Sequence, residues 1–585
     1  MAFPDLQSFL QHLERAGELK RVKAEVDPEL EITEITTRVV KDDGPALLFE
    51  RVRGSAYPLA INTFGSMRRI ELALGRHPRA VGEELVAFID RLNPPSLRAL
   101  WASRKTARRL LAMRKKRVSR APCQQISEPP DLSTLPILKS WPGDGGRFLT
   151  LPLVLTEDPE SGRTNLGIYR MHVYAKDQTG MHWQIQKGGA FHHFEAEKQD
   201  KPLEVAVVLG GDPALIFSAI LPLPEGLEEL AFGGFLRGRP TPMVKAQTLS
   251  LHVPASAEFI LEGVVPPGER EQEGPFGDHY GYYSDAAPFP VFHLRRITHR
   301  RNPVYPAAVV GRPPQEDRAM GDAVQEILVP FLKLLHPELR DLWAYFEAGF
   351  HNLLVVAVET RYGKEAVKTA LGLLGQGQLS LAKCVVLVDP AVNVRDFAAV
   401  VRAIGINFDP AQDFILLPGV PADTLEFAAF KMNLGSKMIL DATTKDRPPA
   451  APSPERIRDP AEVDARIQRW RLLEGTLLVV QIAGQAQDTI EALMRAEDLG
   501  AVKLIAAVSP DVQLDDEVSL LWGIFTRFDP ARDVVFQHAE LRGACPVYRG
   551  RLGIDATFKE GYPAPLEMTA EIRERVSRRW DEYWK

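Results

Sequence analysis

Residues 273–282 place two carboxylates on a short stretch that suits neither a helix nor a central strand. The run reads Glu-Gly-Pro-Phe-Gly-Asp-His-Tyr-Gly-Tyr, so glycines and a proline surround Glu273 and Asp278, with His279 beside the second acid. This composition predicts a tight, fixed loop. Two acids held close together can push each other's pKa apart, which is what general acid/base catalysis requires. The alternative, a surface turn with solvated acids, is about equally compatible with the spacing alone.

A second candidate site lies in residues 164–170, which read Thr-Asn-Leu-Gly-Ile-Tyr-Arg. Asn165 offers a neutral oxygen ligand and Arg170 a guanidinium. In a regular strand their odd spacing would send the two side chains to opposite faces. Gly167 between them permits a bulge or bend that would let both serve one pocket. The alternative is an ordinary strand with one exposed arginine.

Three further runs suit an anion or a hard metal ion. Residues 186–190 (Gln-Lys-Gly-Gly-Ala) and 434–437 (Leu-Gly-Ser-Lys) combine backbone N–H groups with a cation, as weak phosphate cradles do. Each of them alone is more often a plain turn. Glu228 and Glu229 offer carboxylates of the kind that Mn²⁺ or Mg²⁺ prefers. The alternative for this pair is an ordinary acidic helix start.

His192 and His193 support a metal site only weakly. Adjacent side chains point apart on a helix or a strand, and no third ligand stands at metal spacing. A metal hydrolase built on this pair is therefore the last of the functional alternatives. The cysteines, Cys123, Cys384 and Cys545, are far apart, which excludes a disulfide scaffold and a cysteine-rich zinc site and favours a reducing compartment.

The composition is that of an ordinary globular protein, with 45% hydrophobic and 25% charged residues in a chain of 585. A net charge of −6 implies no general attraction to nucleic acid. The N-terminus has no basic and apolar leader, and no apolar run approaches a membrane span, so we expect a cytoplasmic protein. Residues 98–120 are basic without one acid. They favour a solvated connecting helix over a membrane-binding surface, so membrane contact is at most peripheral.

The order of predicted elements gives an α/β (α+β multidomain) protein. We find no convincing internal repeat, and residues 448–454 read as a linker. Residues 318–345 read as one or two helices, 181–186 as a strand, 424–430 as a helix and 566–584 as a terminal helix that docks on another domain or subunit. The sequence predicts an N-terminal α/β domain with the basic segment (1–122) and an antiparallel β domain that is plausibly a barrel (123–310). Linker helices (311–345), a C-terminal α/β domain with a mainly parallel sheet (346–560, extended after 448) and a C-terminal helix (561–585) follow.

Together these motifs resemble the UbiD family of reversible decarboxylases, which use prenylated FMN. They occur in family order over about residues 1–445. The residues that carry the resemblance are 164–170, 187–190 (Lys-Gly-Gly-Ala), 223–229 (Leu-Pro-Glu-Gly-Leu-Glu-Glu), 262–263 (Glu-Gly), 273–282, 434–438 (Leu-Gly-Ser-Lys-Met) and 441–443 (Asp-Ala-Thr).

The resemblance implies a central split β-barrel like that of flavin reductases, between the N-terminal and C-terminal α/β domains. It implies that Arg170, Glu273 and Asp278 are the catalytic triad. Asn165 and Glu229 match the residues that hold Mn²⁺ (or Mg²⁺) against the cofactor phosphate, with K⁺ often nearby. Further residues fall where the family contacts prenylated FMN: Ile168, Tyr169, Arg170, His182, Trp183, Gln184, Lys187, Gly188 and Lys437.

The resemblance also has departures. Where the ferulic acid decarboxylase branch has a histidine metal ligand, this chain reads Lys187-Gly188, so the third protein ligand is undefined. The last triad acid is Asp278 instead of Glu, as in the branch that acts on hydroxybenzoate-type acids. The longer chain, with residues 345–352 (Tyr-Phe-Glu-Ala-Gly-Phe-His-Asn), looks most like family members in bacterial menaquinone biosynthesis.

The expected activity is therefore decarboxylation of an aromatic, hydroxylated quinone precursor in menaquinone or ubiquinone biosynthesis. A flavin prenyltransferase would supply the cofactor, and the chain would form a homo-oligomer, a dimer or hexamer. The alternatives are an FMN-dependent oxidoreductase, a decarboxylase of other aryl or acrylic acids, and a non-catalytic assembly subunit. Plain flavin reduction needs neither the Glu/Asp turn nor the Asn/Glu metal pair, and an assembly subunit would not need an intact triad.

Overall fold

The N-terminal domain begins with a helix whose sequence accounts for its position. Asp5 caps helix α1 by accepting a hydrogen bond from the Ser8 N–H (2.9 Å), and Leu6, Phe9 and Leu13 bury one face. The computed structural model of the chain describes residues 3–91, 93, 96–184, 188–223, 226–446, 457–499 and 502–585. The N-terminal elements are α1 (Leu6–Arg15), β1 (Leu19–Val26), α2 (Glu31–Lys41), β2 (Ala46–Val52), β3 (Leu59–Ile61), α3 (Met67–Leu74), α4 (Arg79–Arg91), α5 (Leu97–Ala102), α6 (Arg104–Leu111) and β4 (Lys115–Val118).

The central domain is a curled antiparallel sheet. Strand β11 lies in its middle, between β14 and β7, and its β-branched residues are buried on both faces. The predicted split-barrel architecture is confirmed, whereas described residues 181–184 form no strand. The elements are β5 (Ile126–Glu128), β6 (Phe148–Leu149), β7 (Pro152–Glu157), β8 (Thr164–Ile168), β9 (Met171–Ala175), β10 (Gln178–Gly180), α7 (Gly188–Lys198), β11 (Leu203–Leu209), α8 (Pro213–Ile220), α9 (Glu229–Arg237), β12 (Thr241–Lys245), β13 (His252–Pro254), β14 (Phe259–Val265), β15 (Arg270–Glu273), β16 (Phe276–Gly277), β17 (Tyr283–Ser284), β18 (Ala287–His299) and β19 (Tyr305–Pro306).

The chain divides into a first unit, residues 1–327 with 565–585, and a second unit, residues 328–564. The last helix, α16 (Ala570–Tyr583), returns to the first unit, and the predicted linker at 448–454 lies outside the described residues. The remaining elements are α10 (Glu316–Leu335), β20 (Leu339–Ala344), β21 (Leu353–Val358), α11 (Glu365–Leu373), β22 (Cys384–Val388), α12 (Phe397–Asn407), α13 (Pro410–Asp413), β23 (Phe414–Pro421), β24 (Leu434–Asp441), β25 (Ile467–Leu473), β26 (Leu477–Ile482), α14 (Gln487–Arg495), β27 (Leu504–Val508), α15 (Glu517–Phe525), β28 (Val534–Arg542) and β29 (Cys545–Ala556).

One predicted helix in this region extends too far, and another is wrong. Helix α10 ends at Leu335, and the following residues up to Ala344 form edge strand β20, so residues 318–345 are not helical throughout. Residues 424–430 form turns, although Leu-Glu-Phe-Ala-Ala-Phe favours a helix locally. They connect β23 to β24, and the antiparallel pairing of these strands overrides the local preference.

The second unit contains the same fold twice. Module A (residues 339–445) has the sheet order β20-β21-β22-β24-β23, and module B (residues 467–559) has the order β25-β26-β27-β29-β28. In both, the inner pairs are parallel and the two edge pairs antiparallel. The expectation of no internal repeat is therefore wrong. Matching sequence runs are Leu-Leu-Val-Val at 353 and 477, Phe-Asp-Pro-Ala at 408 and 528, and Asp-Ala-Thr at 441 and 555.

The two modules contact each other reciprocally. Lys383 in module A donates a hydrogen bond to the Phe528 carbonyl oxygen of module B (2.8 Å). Its counterpart Lys503 donates to the Phe408 carbonyl oxygen of module A (2.7 Å). Buried apolar residues of both modules form one core cluster. A contact that is repeated with its partners exchanged is the mark of two-fold symmetry, so the modules form a pseudo-symmetric pair within one chain.

Helix α16 docks on the N-terminal domain. The buried carboxylate of Glu31 accepts hydrogen bonds from the Tyr583 hydroxyl (2.6 Å) and the Arg579 guanidinium (2.5 Å). Arg38 donates to the Arg573 carbonyl oxygen (2.8 Å). The interdomain docking predicted for this helix is therefore observed. Within the described part of the chain, every helix is too short or too polar to span a membrane.

Candidate active site

Arg170 is the centre of a network that joins both acids of the Glu-Gly-Pro loop. It lies in the link between β8 and β9, after the strand has ended at Ile168. Its Nε and Nη2 atoms donate to the two carboxylate oxygens of Glu273 at 2.8 and 3.0 Å, and its Nη1 donates to Asp278. Nη2 also donates to Ser284 Oγ (3.0 Å). A planar guanidinium suits this forked geometry, which fixes its orientation toward both acids.

The network is buried, which makes its ion pairing obligatory. Glu273 is fully buried at the end of β15, and the Arg170 side chain is 8% exposed. The Arg170 guanidinium lies over the Phe276 ring, 4.6 Å from its centroid. A buried charge is tolerated only when it is paired and hydrogen-bonded, so each member of the network depends on the others.

The pKa of Glu273 shows how strongly the network favours the carboxylate. Burial by itself would raise this pKa, but hydrogen bonds from His182 (3.2 Å) and Arg170, together with their charges, lower it to about 2. Glu273 is therefore ionised at all ordinary pH values. Burial lowers the pKa of His182, and the Arg170 charge adds to this effect, whereas the hydrogen bond with Glu273 opposes it. Glu273 thus acts as a fixed anion that orients Arg170.

Asp278 is also held as an anion in this geometry. Burial would raise its pKa, but the hydrogen bond from His279 (2.7 Å) and the charges of His279 and Arg170 hold it below its usual range. The acid lies in a turn in which Asp278 N–H donates to the Tyr282 carbonyl oxygen (3.0 Å) and Gly281 N–H to the Asp278 carbonyl oxygen (3.0 Å). The turn aims a carboxylate at Arg170.

A third acid near this turn was missed by the sequence analysis. Asp317, in the first turn of α10, has a buried Oδ1 with no hydrogen-bond partner among the described residues. Burial raises its pKa to about 7; the negative Asp278 and Glu316 add to this rise, and His279 opposes it. Glu316 accepts hydrogen bonds from the Asn62 and Phe64 N–H groups (2.9 and 2.8 Å), which fixes this end of the helix. Asp317 can therefore hold a proton near neutral pH.

A second polar cluster lies where α7 begins. Asn165 Nδ2 donates to the Tyr169 hydroxyl (3.3 Å), which also accepts from the Gly189 N–H (3.2 Å). A Cβ on Gly188 would lie 2.2 Å from Asn165 Oδ1, so only glycine permits this close approach. The indole N–H of Trp183 is buried without a partner among the described residues. An orphaned donor beside a helix start is suited to an anion such as a phosphate.

Glu229 supplies a carboxylate to the same strand. It is the first residue of α9 and accepts a hydrogen bond from the Leu166 N–H (3.0 Å). Burial raises its pKa, and the nearby negative charge of Glu228 adds to the rise. An amide oxygen at Asn165 and a carboxylate at Glu229 form a hard-metal donor set. Among the described residues, no cluster of three or more His, Cys, Asp or Glu side chains could hold a metal ion.

Family models match most of the chain. The N-terminal, Rift-related and C-terminal domain models of 3-octaprenyl-4-hydroxybenzoate carboxy-lyase, the UbiD family, match residues 10–89, 114–313, and 318–442 with 471–556. The chain belongs to the UbiD family. The C-terminal domain model matches in two stretches: the first covers most of α10 and module A up to residue 442, and the second lies in module B.

Relatives and solved structures agree with this membership. A protein of Archaeoglobus fulgidus is 45% identical over 449 residues, covering 76% of this chain and 93% of its own length. A Chlamydia pneumoniae protein named as one of the subunits of 4-hydroxybenzoate decarboxylase is 38% identical and covers 96% of this chain and 95% of its own length. The vanillic acid decarboxylase of Sedimentibacter hydroxybenzoicus (29% identity, TM-score 0.68) covers 78% of this chain and 96% of its own, and HmfF of Pelotomaculum thermopropionicum (27%, 0.64) covers 78% and 98%. This UbiD-family chain is a carboxy-lyase.

The structure places the other predicted UbiD cofactor residues unevenly. Ile168 ends β8 and Gln184 follows Trp183, both half-buried, whereas Lys187 lies outside the described residues. Lys437 lies on β24 of module A, where its ammonium donates to the Ala382 and Pro421 carbonyl oxygens (3.0 and 2.8 Å), and burial lowers its pKa to about 8. A role for Lys437 in cofactor binding stays a prediction.

Two expectations about spacing are wrong. Asn165 and Arg170 are not brought together by a bulge at Gly167, because β7 and β8 pair in regular register and the chain turns only after Ile168. His192 and His193 do not form a site: His192 bonds with Thr156 Oγ1 (2.8 Å), and His193 lies 3.6 Å from Glu197. Their side chains serve separate structural contacts on α7, which removes the support for a hydrolase.

Proposed function

We propose that this chain catalyses the prenylated-FMN-dependent, non-oxidative and reversible decarboxylation of a hydroxylated aromatic carboxylic acid, a precursor of menaquinone or ubiquinone. The observation that carries the proposal is the buried Arg170 held by Glu273 and Asp278. Two relatives are named for hydroxylated aromatic acids, one as part of a 4-hydroxybenzoate decarboxylase and the other as a vanillic acid decarboxylase. HmfF, a further structural neighbour, has been solved in complex with FMN and with prenylated FMN.

The residues at the start of α7 fit the cofactor and its metal. The orphaned Trp183 N–H provides a donor for a phosphate group, and Gly188 lets the start of α7 lie against the Asn165 amide. Asn165 and Glu229 would hold Mn²⁺ or Mg²⁺ against that phosphate, with K⁺ nearby, and Ile168, Tyr169 and Gln184 would contact the flavin. When bound, the prenylated flavin supplies the electron sink that an aryl carboxylate lacks.

The protein's own residues provide orientation and control of a proton. Arg170, fixed by Glu273, faces the substrate carboxylate and positions it. Asp278 takes up a proton from solvent and delivers it to the ring carbon that has lost CO₂. Because His279 and Arg170 hold Asp278 ionised in the substrate-free geometry, it can carry this proton only after one of these contacts weakens. Engagement of Arg170 by the substrate carboxylate is the change that would raise the pKa of Asp278.

The test is Asp278→Asn in reconstituted enzyme, with Asp285→Asn as the matched control at an exposed aspartate seven residues on. We expect the Asp278 variant to lose decarboxylation and the incorporation of solvent deuterium into the product, with cofactor absorbance unchanged. The control should retain both activities. Undiminished decarboxylation and deuterium exchange in Asp278→Asn would exclude its role as proton donor.

A second experiment tests the cofactor and the substrate. The chain is produced with and without a flavin prenyltransferase, and the bound flavin is identified by absorbance and intact mass. Prenylated hydroxybenzoate, dihydroxynaphthoate and cinnamate are then compared as substrates. Oxidation of NAD(P)H by enzyme with unmodified FMN would favour the oxidoreductase alternative. Light scattering of the purified protein would show whether the expected homo-oligomer is a dimer or a hexamer.

A further inference from the structure

The catalytic turn is held between two parts of the chain that are remote in sequence. On one side, Asp144 accepts hydrogen bonds from the Gly277 N–H (2.7 Å) and the Trp141 N–H (2.8 Å). On the other side, the chain returns from the second unit at Pro565. Pro565 forms a β-bridge with Tyr282, and the Leu566 N–H donates to the Gly281 carbonyl oxygen (2.9 Å).

Leu566 also packs directly beside the acid. A Cβ on Gly277, the residue before Asp278, would lie 2.3 Å from Trp141 Cδ1 and 2.9 Å from Leu566 Cδ2. Gly277 is therefore enclosed between an indole and the Leu566 side chain. Leu566 is 4% exposed and belongs to the core cluster that contains Trp141. The Leu566 side chain therefore leaves the turn no room to shift toward residues 565–568.

The far end of this segment is anchored independently. Helix α16 follows directly and is fixed to the N-terminal domain through Glu31, which bonds with Tyr583 and Arg579. Between Leu566 and these anchors, Met568 and Ile572 are buried in the same core. The segment 565–568 therefore leads directly from the catalytic turn to an anchored helix.

We propose that segment 565–568 is a positioning element for the reaction, with Leu566 as the positioning residue that holds the Asp278 turn against Arg170. This proposal rests on the proposed role of Asp278. Leu566 touches the turn and not the reacting atoms, so it acts through the placement of the Asp278 carboxylate. A shift of about 1 Å in a reacting group costs on the order of 100-fold in rate.

The experiment compares full-length, cofactor-loaded Leu566→Ala with Leu566→Met and Met568→Ala. Met568 is 6% exposed in the same core and makes no backbone hydrogen bond with the turn among the described residues. We expect Leu566→Ala to lower kcat by about 10- to 100-fold with KM within about twofold, and to speed hydrogen exchange in residues 276–284. Leu566→Met should recover most of the rate, because it restores the apolar volume.

The control separates positioning from general stability. Met568→Ala should lower the thermal midpoint about as much as Leu566→Ala while leaving kcat and exchange in residues 276–284 unchanged. Equal losses of kcat in the two alanine variants, or unchanged exchange in Leu566→Ala, would overturn the proposal. Faster exchange of residues 276–284 with unchanged kcat would also overturn the proposal, because segment 565–568 would then hold the turn without positioning it for the reaction. The role of Asp278 in the proposed function is tested separately by Asp278→Asn, so the two failures are distinguishable.

Discussion

Replacing Glu273 with glutamine should uncouple Arg170 from its fixed orientation. The substitution keeps the size of a fully buried side chain and removes its charge. The fall of the Glu273 pKa from 4.5 to about 2 corresponds to about 3 kcal/mol in favour of the carboxylate, at ~1.4 kcal/mol per tenfold change. A glutamine would also turn an amide N–H₂ toward the Arg170 donors. We therefore expect a local loss of about 3 kcal/mol at pH 7.

Hydrogen exchange followed by mass spectrometry measures this loss locally. Peptides covering β15 and residues 168–172 should exchange about 100-fold faster in the variant, while peptides of modules A and B serve as an internal reference. Glu271→Gln, an exposed glutamate on the same strand, is the matched control and should leave exchange unchanged. The variant should also lose kcat/KM, because Arg170 no longer has a fixed direction.

The pH dependence of the stability difference between wild type and Glu273→Gln provides a second test. The pKa of Glu273 is lower in the folded than in the unfolded chain, so its stabilising effect is complete above about pH 4.5 and is lost as the pH falls toward 2. The difference between wild type and variant should therefore be constant from pH 8 to 5 and shrink below pH 4.5. An exchange difference under about threefold at pH 7, or an equal effect of Glu271→Gln, would refute the reasoning.

Three further predictions follow from other contacts. The pKa of Asp317 is raised to about 7 in the folded chain, so the free energy of unfolding should fall as the pH rises from about 4 to 7. Urea unfolding should show a weaker dependence of this free energy on pH in Asp317→Asn. Glu229→Gln should reduce bound Mn²⁺ per chain at least tenfold by metal analysis, whereas Glu228→Gln, whose carboxylate pairs with Lys115 instead, should not. Lys383→Met should increase hydrogen exchange in both modules, and exchange confined to module A would contradict the reciprocal pairing.

The sequence predicts much of the site because the decisive residues are confined to short motifs. The Glu-Gly-Pro loop already places two acids in a rigid turn, and the family pattern adds Arg170, which no local signal could pair with a loop a hundred residues away. Asp317 and Leu566 had no such motif. Their relation to the turn arises from the chain's return through α10 and from residue 565 onward, which are long-range contacts that periodicity does not encode.

The wrong predictions for the second unit, a helix extended over strand β20 and the absence of a repeat, have a similar cause. No glycine separates helix α10 from the strand at Leu339–Ala344, and the extended conformation of this strand is set by its pairing with β21. The repeat is not evident in the sequence because its matching runs are short and the two modules differ in the length of the connection between their last two strands. Twelve residues connect β23 to β24, whereas two connect β28 to β29. Such a difference in loop length breaks the constant spacing on which repeat detection depends.

The paired modules have a consequence for how this enzyme holds itself together. When identical chains associate across a two-fold axis, their pairing weakens on dilution. Here both halves are on one polypeptide, so the local concentration of one for the other is fixed by the linker, on the order of millimolar or above. The sequence of module B can therefore diverge from that of module A without loss of the pairing. For example, Arg551 on β29 occupies the position that corresponds to Lys437 on β24. The pairing of modules A and B therefore does not depend on the protein concentration, unlike the pairing of two separate chains.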